Sequence, residues 1–156
     1  MTEIERILDQ LKRAYEGNAW HGPSVREALA GVSAEQARTR PLPNTHTIWE
    51  LVHHIAVWED AGRRRLEGDR AEINISSPDD WPPADDPSEA AWDQAKAALD
   101  RGHEALRKAI AGLDESRLDE PILEGLSTVY VTLHGVIQHD LYHAGQIAML
   151  KKALVA

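Results

Sequence analysis

The sequence predicts an all-α protein, a four-helix bundle with long crossover connections, and three observations carry that expectation. Four stretches place apolar residues at the 3.6-residue period of an amphipathic helix. They are separated by proline- and aspartate-rich connections that neither a helix nor a central strand tolerates. The single β-prone stretch, Val129 to Thr132, has no partner strand. At 156 residues the chain suits one hydrophobic core and is short for two, so residues 1–156 are expected to form a single domain.

The first helix is read from Thr2, which stands at capping-box spacing from Glu5, through Ile4, Ile7, Leu8, Leu11, Ala14 and Tyr15. Gly17-Asn18 interrupts it. Gly22-Pro23 restarts a helical face that Val25, Leu29 and Val32 continue, and Ser33 with Gln36 marks a further short turn. Thr47 and Glu50 form another capping box, leading into a long helix that ends near Gly68. Arg63, Arg64 and Arg65 lie in its last turns, where cations complement the carbonyl end of a helix. Residues 68 to 87 hold four prolines and make a long loop. Asp86-Pro87-Ser88-Glu89 then reads as a cap, an N1 proline and an N3 acid, opening a third long helix that runs to Gly112. A second acidic connection precedes the fourth, from about Tyr130 to the C-terminus.

Composition narrows the chemistry. The formal charge of −9 opposes nucleic acid and anionic membranes as partners. No run is long and apolar enough for a membrane span, and the first twenty residues lack an apolar h-region, so a soluble, cytoplasmic protein is expected. There is no cysteine, which excludes disulfides, thiolate nucleophiles and Cys-ligated metal. Any metal must sit on His, Asp or Glu, and the chain has eight histidines beside no phenylalanine.

Two of those histidines, His139 and His143, interrupt the apolar stripe of the last helix, on the side of Val136, Ile147, Leu150 and Leu154. Spacing of i, i+4 lets both imidazoles reach one ion, although HxxxH by itself is a short pattern that more often marks core histidines bonded to carbonyls or carboxylates. On the helix from Thr47, His54 lies roughly 110° from the centre of the apolar stripe and His53 roughly 150°. His54 is therefore the inward member, and His53 is expected to point toward solvent. A third imidazole from a second helix would complete a three-histidine set with coordination positions left open. For His21, His46, His103 and His134 surface or hydrogen-bonded roles are expected. Glu50 is read as a capping residue, with a general-base role as the alternative. Trp58 and Tyr142 are read as core aromatics, with a pocket-lining role as the alternative.

The segments TIWELVHHIAVWE (47–59) and LHGVIQHDLYHAGQI (133–147) resemble the DinB/YfiT-like family of metalloenzymes, and WHGP (20–23) resembles a first-helix segment found in part of it. The resemblance implies a four-helix bundle, often dimeric, holding a divalent metal on three histidines. Those positions fall here on His54, which precedes Ile55 and Ala56, and on His139 and His143. This sequence departs from the pattern by doubling the first histidine. The resemblance also implies metal-dependent hydrolysis, or transfer and isomerisation that use low-molecular-weight thiols such as bacillithiol or mycothiol.

The resulting expectation is a metal-dependent hydrolase or thiol-dependent transferase or isomerase with a small-molecule substrate and the architecture of a homodimer. Zinc or nickel suits an all-imidazole set, whereas magnesium prefers oxygen. The alternative is a non-catalytic, stress-related binding protein in which the metal only staples the bundle.

Overall fold

In a computed structural model, which describes residues 1–155, helix starts are written in side-chain caps. Thr2, Ser24, Ser33 and Thr47 each accept a hydrogen bond from the N3 backbone while the N3 side chain (Glu5, Glu27, Gln36, Glu50) accepts one from the backbone N–H of the cap. These boxes open α1 (Glu3–Tyr15), α2 (Val25–Leu29), α3 (Ala34–Arg38) and α4 (Ile48–Leu66). Ser88 opens α5 (Glu89–Ala111) and Thr128 opens α6 (Val129–Leu154). The start of α5 corrects the expected cap by two residues. Asp86 instead accepts from the Ser88 amide at 2.9 Å, and Pro87 stands before the helix rather than in its first turn.

The fold is all-α, with no strand among the described residues beyond one isolated bridge, Pro121 to Thr128, just before α6. The long helices α1, α4, α5 and α6 close a ring, α1 against α5 and α6, and α4 against the same two. The short helices α2 and α3 cover one end. Gly31, at φ +75°, makes the turn between them in a conformation costly for a residue with a Cβ. No described helix is long and apolar enough to cross a membrane.

Two apolar clusters form the interior. One gathers Trp49, Leu51, Ile55, Trp92, Leu99 and Ile147 under α2 and α3. The other gathers Ile7, Leu11, Leu106, Ile110, Leu133 and Ile137 at the opposite end. Trp92 is fully buried and donates its indole N–H to the Val32 carbonyl at 2.8 Å, tying α5 to the turn after α2. Burying each such side chain stabilises the fold by roughly 1.5–3 kcal/mol.

Along α4, α5 and α6 the two clusters are separated by one polar layer: Glu59, His103 and Asp140, all buried. His103 Nδ1 lies 2.9 Å from Glu59 Oε1, and its ring stacks on Tyr15 at 3.8 Å. Burial pushes the Glu59 carboxyl up to about 8 and Asp140 well above the carboxylate range. It pushes His103 down to about 4. His103 is thus the hydrogen-bonded kind of histidine, in the middle of the protein.

The crossover from α4 to α5 spans 67–88 and includes a 3-10 turn at Pro78–Asp80. The three arginines at the end of α4 are partly engaged: Arg63 pairs with Asp60 and Glu67, Arg64 with Asp69, and Arg65 caps the Ile73 carbonyl.

Candidate metal centre

The Thr47 box fixes where α4 starts and therefore which way each later side chain points. With Leu51 and Ile55 turned into the core, His54 follows them inward and is only 6% exposed. On α6, His143 is 5% exposed and His139 half-buried, one turn apart on the face that carries Val136 and Ile147. Gly62 permits the close approach of these two helices, since a Cβ there would lie 3.3 Å from Val136 Cγ2.

The three rings meet through the same atom. His139 Nε2 lies 2.9 Å from His54 Nε2 and 3.1 Å from His143 Nε2. One nitrogen from each of the three residues falls within 4.8 Å of the others, and among the described residues this is the group whose geometry allows a shared metal ion.

The far sides of two rings decide what those nitrogens are. His54 Nδ1 donates to the Asp80 carbonyl at 2.7 Å and lies 3.1 Å from the Asp80 carboxylate. His143 Nδ1 donates to Gln146 Oε1 at 2.6 Å. Both rings therefore carry their proton on Nδ1 and turn an Nε2 lone pair inward. Burial also holds all three below the ordinary histidine pKa, and for His139, with two imidazoles beside it, down to about 3. Neutral imidazoles with converging lone pairs repel one another unless a proton or a cation lies between them. One proton on His139 answers one contact well, whereas a divalent ion answers all three. With metal–nitrogen bonds of about 2.0–2.1 Å, ligand nitrogens lie about 2.9–3.4 Å apart, which matches the two edges at His139, while the third, between His54 and His143, falls within 4.8 Å.

Asp80 and Trp81 were not legible in the sequence. Asp80 is buried and accepts from the Trp58 indole at 2.6 Å as well as from His54. Trp81 lies flat on His54 at 3.7 Å and 4°, and His46 lies flat on the other face of Trp81 at 3.4 Å and 3°. The crossover loop thereby supplies the second layer of the site from 26 residues away in sequence.

A family model described as the DinB superfamily matches residues 19–147. The chain belongs to the DinB superfamily. A crystal structure of a conserved protein from Enterococcus faecalis is similar to it with a TM-score of 0.74 and 20% identity, over 99% of this chain and 98% of that one. At that identity the likeness bears on the fold alone. No curated protein matches the chain.

In this DinB superfamily member His54 is the inward histidine of the doubled pair, as its phase predicts, but His53 does not point to solvent. It is half-buried, donating from Nδ1 to the Pro82 carbonyl at 3.1 Å and accepting from the Trp49 indole at 3.1 Å. Glu50 is spent on its cap: its carboxylate takes the Thr47 amide at 2.7 Å and pairs with Arg40 at 3.2 Å. Those contacts hold its pKa below the ordinary value against the opposing effect of burial. Tyr142 is 66% exposed rather than core, and Trp58 is half-buried on Asp80. His46 stacks in the site, His21 is exposed, and His134 tilts against Tyr130 at 4.3 Å.

Proposed function

We propose that the chain is a metal-dependent enzyme in which His54, His139 and His143 hold one divalent ion, zinc or nickel, and that it acts as a hydrolase or as a low-molecular-weight-thiol-dependent transferase or isomerase. The observation that carries this is the convergence of three neutral Nε2 atoms, two of them fixed as lone pairs by acceptors on the opposite side of the ring. When bound, such an ion lowers the pKa of a water or thiol at an open position and supplies the nucleophile that a cysteine-free chain lacks.

The protein's own residues do the rest. Asp80 orients the His54 ring and strengthens its basicity, Gln146 does the same for His143, and the Trp81 ring excludes water from one face of His54. Three imidazoles are one ligand short of the four that structural zinc normally takes from protein, which favours the catalytic role over a staple.

Elemental analysis of natively purified protein tests the metal, with near-stoichiometric zinc or nickel expected. Titration of cobalt-substituted protein with low-molecular-weight thiols, alongside turnover assays on ester and electrophilic substrates, tests the chemistry. A metal-loaded protein whose spectrum no thiol perturbs loses the transferase reading. One that turns over no substrate with or without thiol is the binding protein of the alternative.

A further inference from the structure

A cavity of about 360 Å³ opens beside the cluster and meets it through His143. Its walls are Leu42, Leu51, Met149 and Leu150, with the ring of Trp81 on one side and Tyr142 at the rim. Three of these, Leu42, Tyr142 and Met149, are large apolar side chains that stand 38%, 66% and 68% exposed, an arrangement a soluble surface favours only where something covers it. The polar lining is confined to amide and hydroxyl groups and to imidazoles; among the described residues no lysine, arginine or carboxylate faces the cavity. His46 Nδ1 lies 3.4 Å from Glu50, so any charge on that ring is answered within the protein.

We infer that this cavity seats a neutral, mainly apolar small molecule of about two-ring size, with its one polar end toward His143. Size follows from volume: an apolar cavity of about 150 Å³ accepts benzene, and this one is more than twice as large. Both faces of the Trp81 ring are covered, by His46 and by His54, so the stack gives the cavity a rigid aromatic side whose rings are already fixed. Polarity follows from desolvation. In the metal-free protein an anion or cation entering this cavity leaves water and meets no opposite charge, whereas an uncharged molecule gives up little and gains apolar contact. Gln146 and Asn44, near the His143 end and the mouth, supply the few hydrogen-bonding groups that fix orientation.

That the molecule is a substrate rests on the metal-site reading; that it binds does not. The test therefore uses metal-free protein, prepared by chelation, and two probes of one skeleton, 2-naphthamide and 2-naphthoate, followed by calorimetry and tryptophan fluorescence. The amide is expected to bind saturably and at least tenfold more tightly than the carboxylate. Met149→Asp, at an exposed rim position where folding is not at stake, is expected to weaken the amide at least tenfold, while Val131→Asp, exposed on α6 outside the cavity, leaves it unchanged. Equal affinity for the two probes, no saturable binding of the amide, indifference to Met149→Asp, or binding that needs restored zinc would each overturn the proposal. Metal content measured on the same preparation before chelation separates the two ideas. Amide binding by a protein purified without metal removes the metal centre and keeps the cavity, and the converse result removes the cavity alone.

Discussion

Asp80 gives the sharpest test of how the site is built, because its carboxylate serves two partners at once. Oδ1 lies 3.1 Å from His54 Nδ1 and 2.6 Å from Trp58 Nε1, and the backbone carbonyl of the same residue accepts from that same His54 Nδ1–H at 2.7 Å. Asp80→Ala removes the charge behind the imidazole but leaves the carbonyl, so His54 keeps its tautomer and loses basicity. Losses of this kind weaken metal binding about 10- to 100-fold, or about 1.4–2.7 kcal/mol. The same change strips the Trp58 N–H of its acceptor, at about 1–3 kcal/mol of folding stability. Asp80→Asn separates the two effects, since an amide oxygen still accepts from both partners. It is expected to leave metal-free stability nearly unchanged and to weaken metal binding toward the tenfold end. The assays are competition of apoprotein with a chelating indicator for zinc, and urea denaturation of the metal-free forms. Zinc affinity within twofold of wild type in both variants would refute the claim that this carboxylate supports His54.

Other expected outcomes follow from the same geometry. His54→Ala, His139→Ala and His143→Ala each purify without metal, while His53→Ala retains a full equivalent and loses about 1 kcal/mol of stability with its two hydrogen bonds, as elemental analysis and denaturation would show. Glu59 ionises near its ordinary value of 4.5 when unfolded but is held protonated up to about 8 when folded, so between those pH values the native state binds the extra proton and stability falls as pH rises. Glu59→Gln removes that slope, and its stability relative to wild type should grow from pH 5 to pH 8 by up to about 1.4 kcal/mol per unit, whereas a difference independent of pH would contradict the buried neutral acid. Thr47→Ala removes the cap that sets the phase of α4 and is expected to cost about 1 kcal/mol in chemical denaturation of the metal-free protein.

Periodicity and capping chemistry are local, and what depended on them was legible in the sequence. Thr2 with Glu5, Ser33 with Gln36 and Thr47 with Glu50 announce their helices, and the phase of α4 separates His54 from His53. The Ser24–Glu27 box has the same form, although the sequence marks that restart more visibly with Gly22-Pro23. The cap of α5 slipped to Ser88 because Asp86, Ser88 and Pro87 all satisfy capping preferences, and only the path of the incoming loop chooses among them. Asp80 and Trp81 lie in a segment with no period at all, and their meeting with His54 is a tertiary contact that no local pattern encodes. Glu59, His103 and Asp140 were hidden for a different reason. A charged residue on a helix ordinarily marks the wet face, and these three are buried, with Glu59 and His103 bonded to each other across two helices.

The crossover between α4 and α5 also separates two inheritances within one short chain. Helix packing supplies the three imidazoles, but the back support of His54 and the ring stacked on it come from the loop, whose Trp81 and Ala84 also pack against one apolar cluster. Substitutions at 78–82 can therefore alter histidine basicity, ring orientation and cavity shape, at a cost in stability where they remove the Asp80 bonds or the Trp81 packing. A scaffold arranged in this way lets one loop change the surroundings of three histidines while the helices that carry them stay the same.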